Sequence, residues 1–212
     1  RGLSKAYKDF SLKDVDILLP KGAIMGLIGE NGAGKSTTLK AMLDIVRRDS
    51  GAVEILGLDL DTDQQRIKEQ IGVVLGESHF HEFLDGIQVS HMLGRIYRNW
   101  DQERFRDYMG RFALPGKKKI KDYSKGMQMK LSIAAALSHH PSLLILDEAT
   151  SGLDPVVRDE ILDILFGFIE DGEHSVLISS HITSDLDKVA DYITMIHNGS
   201  ILFSEEKDAL IE

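Results

Sequence analysis

The stretch that most constrains this chain runs from Ala23 to Thr37. Ala23-Ile24-Met25-Gly26-Leu27-Ile28 is an apolar run, Gly29-Glu30-Asn31-Gly32-Ala33-Gly34-Lys35-Ser36-Thr37 is glycine-rich, and Leu39, Met42, Leu43 and Val46 then recur at helical spacing. The order is strand, glycine loop, helix, and the apolar stripe of the helix holds the loop still. The spacing from Gly29 to Gly34-Lys35-Ser36 is the P-loop pattern, in which glycines let backbone N–H groups curl around phosphate oxygens without interference from Cβ. Lys35 is expected to reach the β and γ phosphates as a point charge and Ser36 to give its hydroxyl to Mg²⁺, with the dipole of the following helix adding to the attraction. Gly29, Asn31, Gly32, Ala33, Gly34, Lys35, Ser36 and Thr37 are therefore the expected nucleotide site. A plain turn between strand and helix needs no Lys-Ser pair.

Composition narrows what the nucleotide is for. At 212 residues and 42% hydrophobic content the chain is long enough for one well-buried core. No apolar run approaches the ~20 residues that span a bilayer, and no signal-peptide pattern opens the chain. The first residue is Arg1 and not Met, from which a missing part of the natural N-terminus is expected. The absence of Cys removes disulfides and thiolate metal sites. A net charge of −9 argues against a general nucleic-acid surface. The one basic cluster, Lys117-Lys118-Lys119 with Lys121, reads as a solvated loop.

Along the chain, residues 3–10 read as a short edge segment, Asp14 to Leu19 as a half-apolar strand, Ala52 to Gly57 as a strand, Thr62 to Gln70 as a polar helix and Ile71 to Leu75 as a buried strand. Tyr7 lies shortly before the glycine loop, and two readings of it stay open, an adenine-stacking ring or simple packing. From Phe83 to Pro141 the pattern is helix upon helix, with Val89, Leu93, Ile96 and Tyr97 on one face and Phe105, Tyr108, Met109 and Phe112 on the next. Tyr123-Ser124-Lys125-Gly126-Met127 opens another helix and is a second candidate anion site.

Leu143-Leu144-Ile145-Leu146 runs into Asp147-Glu148, as expected of a buried parallel strand whose carboxyl end reaches a site. Asp147 suits holding Mg²⁺, and Glu148 suits a base acting on an attacking water. Asp154-Pro155 starts a helix as N-cap and first residue. Ser175 to Ser179 is another buried strand, delivering Ser180 and His181 to the same end of the sheet as Glu148, where His181 is expected to contact a γ-phosphate. Thr183 to Ala190 is a helix. Tyr192 to His197 and Ser200 to Phe203 form a hairpin across Asn198-Gly199.

These residues resemble the ATP-binding subunits of ABC transporters. GENGAGKST is similar to the Walker A loop, YSKGM to the signature motif, LLILDE to the Walker B strand, SGLD to the D-loop, and His181 to the switch histidine; the YSKGM form resembles bacterial transporters of the export type. The resemblance implies an α/β P-loop NTPase with a mainly parallel core sheet, an antiparallel β part and an inserted helical subdomain, the core formed by residues 1–82 and 142–212 and the insert by 83–141. It implies ATP and Mg²⁺ as cofactors, with Tyr7 as the adenine-stacking aromatic. It implies a head-to-tail pair of ATPase subunits, in which Ser124 and Gly126 cap the γ-phosphate of the partner's ATP and Asp154 ties the two sites together. Transmembrane permease subunits at the cytoplasmic face of the membrane are the implied partners. The chain departs from the family pattern in three stretches. Gly76 and Glu77 stand where a Gln usually senses Mg²⁺, leaving Glu77 as a candidate metal contact; Ala149 replaces a Pro; Lys125 and Met127 replace two residues of the LSGGQ form of the signature. The rival reading is an ABC-type ATPase that clamps or remodels nucleic acid or ribosomes.

Overall fold

The structure is a computed structural model that describes residues 1–76 and 80–210. The chain opens as an antiparallel pair, β1 (Leu3–Ala6) and β2 (Ser11–Val15), then runs through β3 (Ile24–Ile28) into the glycine loop and α1 (Lys35–Met42). A small hairpin, β4 (Glu54–Ile55) and β5 (Leu58–Asp59), and α2 (Gln64–Gln70) lead to β6 (Ile71–Leu75). The described segment between β6 and the next strand is helical: α3 (Gly86–Leu93), α4 (Gln102–Arg111), a 3₁₀ turn at Ile120–Asp122 and α5 (Lys125–Leu137). β7 (Leu143–Asp147), α6 (Pro155–Ile169), β8 (Ser175–Ser180) and α7 (Thr183–Val189) follow, and β9 (Tyr192–His197) and β10 (Ser200–Glu206) close the fold.

Six strands form the main sheet in the order β10-β9-β3-β8-β7-β6, parallel throughout except for β10, which runs antiparallel to β9. The two-residue period of a strand sorts the core onto the two faces. Met25, Leu27, Ile145, Leu177 and Ile196 join Leu39 of α1 and Leu12 of β2 on one side. Ile24, Leu144, Leu146, Val176 and Ile178 join Leu131, Leu165 and Leu186, from α5, α6 and α7, on the other. Covering on both faces is why β7 and β8 read as unbroken apolar runs and not as alternations. Among the described residues no helix is long and apolar enough to cross a membrane.

The expected elements need four corrections. The strand placed at Asp14 to Leu19 lies earlier, at Ser11–Val15. α1 stops at Met42 because Asp44 adopts φ 55°, a left-handed conformation that Asp tolerates, so Val46 falls outside the helix. The strand expected from Ala52 to Gly57 shrinks to two residues, since Leu56 and Gly57, at φ 54° and 74°, turn the chain back on itself. Ile96 lies beyond the end of α3 and is 64% exposed, so it does not share the buried face of Val89 and Leu93.

Candidate active site

β3, β8 and β7 are parallel neighbours, and their carboxyl ends open on the same side of the sheet. Open α/β sheets bind ligands at such ends. β3 delivers the glycine loop, β7 delivers Asp147 and Glu148, and β8 delivers Ser179, Ser180 and His181. The loop needs its glycines. A Cβ at Gly29 would lie 2.4 Å from the carbonyl oxygen of Ile196, and Gly34 sits at φ 118° with Leu12 and Phe10 packed against it. Lys35, Ser36 and Thr37 form the first turn of α1, so their amide N–H groups have no helical carbonyl to bond and face outward as donors.

Lys35 is 5% exposed, a cation held by its own loop. Its Nζ donates to the carbonyls of Gly29 at 2.7 Å and Glu30 at 3.2 Å, and it lies 3.2 Å from Oε1 of Glu148. The other oxygen of Glu148, Oε2, lies 2.6 Å from Nδ1 of His181. One carboxylate therefore joins the phosphate-loop cation to the histidine. Glu148 adopts φ 52°. A non-glycine residue in that region costs on the order of 1–3 kcal/mol and persists only where its surroundings hold it. Here the backbone carbonyl and the Oγ of Ser179 accept its amide proton, at 3.1 and 3.0 Å. Ser179 Oγ in turn donates to Oδ1 of the buried Asp147 at 2.6 Å.

Asn31, Gly32, Gly34, Lys35, Ser36, Thr37, Glu148 and His181 line one cleft of about 850 Å³, together with Asp9, Phe10, Ser151 and Asn198. The structure thus brings together the loop, the carboxylate and the histidine that were expected to meet. Tyr7 is not part of that lining. It is 47% exposed with the Lys5 ammonium 5.7 Å above its ring, and Phe10 supplies the aromatic wall. Ser124 caps α5 by accepting the amide proton of Met127 at 3.2 Å, Gly126 packs toward Val157 of α6, and neither lines the cleft. Asp154 caps α6 by accepting from the amide of Val157 at 3.0 Å, ahead of Pro155. Glu77 lies outside the described residues. Ser179 and the cleft-lining Asp9, Phe10, Ser151 and Asn198 escaped the sequence reading. Ser179 reads as the end of an apolar run, its only signal being a hydroxyl on a strand buried on both faces; Phe10 follows Tyr7 closely enough for either to stand at the cleft.

The donor set fits a magnesium–polyphosphate ligand. Among the described residues no three His, Cys, Asp or Glu side chains gather around a point, so an all-protein metal cage is absent there. Mg²⁺ characteristically takes one or two protein oxygens and completes its shell with waters and substrate phosphates. Ser36, beside Lys35, lines the cleft and is an oxygen of that kind; Asp147, buried at the end of β7 with Oδ1 accepting from Ser179, is not among the lining residues.

The model of the family described as ABC transporter matches residues 12–151, from β2 through the segment that follows Glu148. The uncharacterized ABC transporter ATP-binding protein sll0415 of Synechocystis is 33% identical over 201 residues, 92% of this chain and 56% of that protein. The ABC transporter ATP-binding protein YtrB of Bacillus subtilis is 31% identical over 213 residues, 100% of this chain and 73% of the relative. The chain thus spans between about half and three quarters of the length of these relatives. A solved structure described as the ATP binding subunit of an ABC transporter superposes with a TM-score of 0.89 at 26% identity, over 99% of this chain and 90% of that one. With the glycine loop, the Asp147-Glu148 strand end and the Ser124 helix all inside the matched span, the chain belongs to the ABC transporter family and carries its ATP-binding domain.

Proposed function

We propose that this chain hydrolyses Mg-ATP and that ATP-dependent pairing of two such subunits drives transport through partner transmembrane subunits at the cytoplasmic face of a membrane. The observation that carries the reading is the Lys35–Glu148–His181 chain of contacts in the cleft beside the glycine loop. The first-turn amides of α1 bind phosphate oxygens, and Lys35 moves its ammonium from the Glu148 carboxylate to the β and γ phosphates. That transfer frees Oε1 of Glu148, which accepts a hydrogen bond from the attacking water and orients it. His181, anchored on Oε2 through one ring nitrogen, contacts the γ-phosphate through the other as charge builds on it. Ser36 and Asp147 would hold Mg²⁺, which supplies charge neutralisation for the transferring phosphoryl group.

Ser124 and Gly126 stand outside the cleft, at the start of α5. That placement supports a site completed by a second subunit, whose Ser124 and Gly126 cap the γ-phosphate from the open side. The helical lobe at 83–141 then carries the capping helix, and the lobe made of 1–82 and 142–212 carries the nucleotide. Hydrolysis removes the charge that joins the two subunits, and their separation is the movement passed to a permease.

The test is the molar mass of Glu148→Gln by light scattering, with Mg-ATP and separately with ADP, and Lys35→Ala as the control without a phosphate cation. A monomer that becomes a dimer only with Mg-ATP, and never in the Lys35→Ala background, supports the reading. A Glu148→Gln chain that binds Mg-ATP and stays monomeric in the presence of its co-purifying membrane partner counts against it.

A further inference from the structure

Two helices leave the sheet beside the site: α6 after the segment that begins with Glu148, and α7 after His181. Arg158, in the first turn of α6, stands between them. Its Nη1 donates to Oδ1 of Asp185 on α7 at 3.4 Å, and its Nη2 donates to the backbone carbonyl of Leu153 at 3.2 Å. The two side chains are 23% and 3% exposed. One guanidinium therefore ties the end of the Glu148 segment to the helix that follows His181.

Stability alone does not account for this pair. Removing two charges from water is costly, and the mutual attraction offsets that cost only with good geometry and every remaining donor and acceptor satisfied. Here the contact is long for a charge-assisted hydrogen bond. Among the described residues, neither the buried Nε of Arg158 nor the buried Oδ2 of Asp185 has a hydrogen-bond partner. An apolar pair of similar shape would fill the space at lower cost. A second ion pair, Lys188 with Asp159 at 2.7 Å, already joins α6 and α7, with both side chains more than half exposed, where such pairs count for little. The distinctive property of Arg158 is what it connects. The segment from Glu148 to Leu153 is fixed by Ser179 at its start; its own turns, Ser151 N–H to the Glu148 carbonyl and Leu153 N–H to the Thr150 carbonyl, are internal. Arg158 fixes its far end.

We propose that Arg158 and Asp185 are positioning residues for the hydrolytic step, a deduction that rests on the ATPase reading. They hold the Leu153 carbonyl and α7 in register, so that Glu148 and His181 keep their contact when a γ-phosphate enters the cleft and Lys35 leaves the carboxylate. Neither side chain lines the cleft, so losing the pair slows the chemistry without weakening nucleotide binding.

The experiment uses the full chain with Arg158→Lys, which keeps the charge but lacks the fork needed to reach both acceptors, and Asp185→Asn, which keeps the shape and removes the charge. Steady-state turnover, KM for Mg-ATP and the melting midpoint are measured for each beside wild type and Glu148→Gln. The expected result is a kcat lower by roughly 10- to 100-fold, the scale of a misplacement of about 1 Å, with KM within about twofold of wild type. If either variant fails to fold, the other reads the same split. Unchanged kcat, or kcat and KM that worsen together as the melting midpoint drops, overturns the positioning role and leaves the ATPase reading intact. A wild-type chain with no turnover above that of Glu148→Gln overturns both.

Discussion

The hydroxyl of Ser179 donates to Oδ1 of Asp147 at 2.6 Å and accepts the amide proton of Glu148 at 3.0 Å. One fully buried side chain on β8 thereby fixes the two acidic residues at the end of β7. Ser179→Ala leaves the Asp147 carboxylate without that donor and Glu148 with only the backbone carbonyl of Ser179. A buried hydrogen bond to a charged group contributes about 1.5–3 kcal/mol, and the melting free energy should fall by that amount. Turnover should fall by roughly 10- to 100-fold, as when the supports of metal-site ligands are removed. Turnover equal to wild type in a variant that still folds would show that Glu148 needs no such support.

Glu148 bonds Lys35 through one oxygen and His181 through the other. Glu148→Gln keeps the shape and removes the charge that a general base needs. Turnover should fall by roughly 10²–10⁴-fold, the range for loss of a general base, or about 3–5 kcal/mol of barrier. The check is steady-state phosphate release, and near-normal rates in the variant would remove Glu148 from the reaction.

How much of this was legible follows from where the physics was local. The glycine loop, the buried strands at Ile71–Leu75 and Leu143–Asp147, the Asp154-Pro155 helix start and the Asn198-Gly199 hairpin all rest on near-neighbour rules, and each stands where the sequence placed it. The failures sit where the deciding contact is distant or the residue types are uninformative. Val46 and Ile96 continue an apolar periodicity past the true ends of their helices, at Met42 and Leu93. Ser179 acquires its role only because β7 and β8 pair in a register that puts it opposite Asp147. Such pairings cannot be read from spacing along one strand.

The glycines of the loop differ in why they are required. A Cβ at Gly29 would lie 2.4 Å from a backbone carbonyl that cannot swing aside, whereas Gly32, at φ 83°, has open space around it. Gly29→Ala must displace β9 or the loop. Gly32→Ala meets only the left-handed backbone penalty, about 1–2 kcal/mol. The melting midpoint of Gly29→Ala should therefore lie well below that of Gly32→Ala, and nucleotide affinity should follow the same order. Equal losses would mean that the loop relaxes away from Ile196 without cost.

His139 should give the fold an acid-side weakness that is independent of the cleft. The ring is 1% exposed, stacked on Tyr97 at 4.0 Å between centroids, with Nε2 bonded to the Ile71 carbonyl at 2.9 Å. Burial pushes its pKa below the ordinary histidine value; the neighbouring His140 acts in the same direction, and the Ile71 and Ala135 carbonyls oppose it. The folded state therefore holds a neutral ring where the unfolded chain, with a histidine pKa of about 6.5, takes up a proton. Stability from this group is complete above that value and declines as pH falls below it, toward the lowered folded pKa. His139→Gln keeps an N–H donor for Ile71 and removes the titration. Across a series of denaturant melts at falling pH, the wild-type free energy should drop faster than that of the Gln variant. Parallel curves would mean that the ring takes up its proton inside the fold as readily as in the unfolded chain, and that the stack on Tyr97 accommodates a charged imidazole.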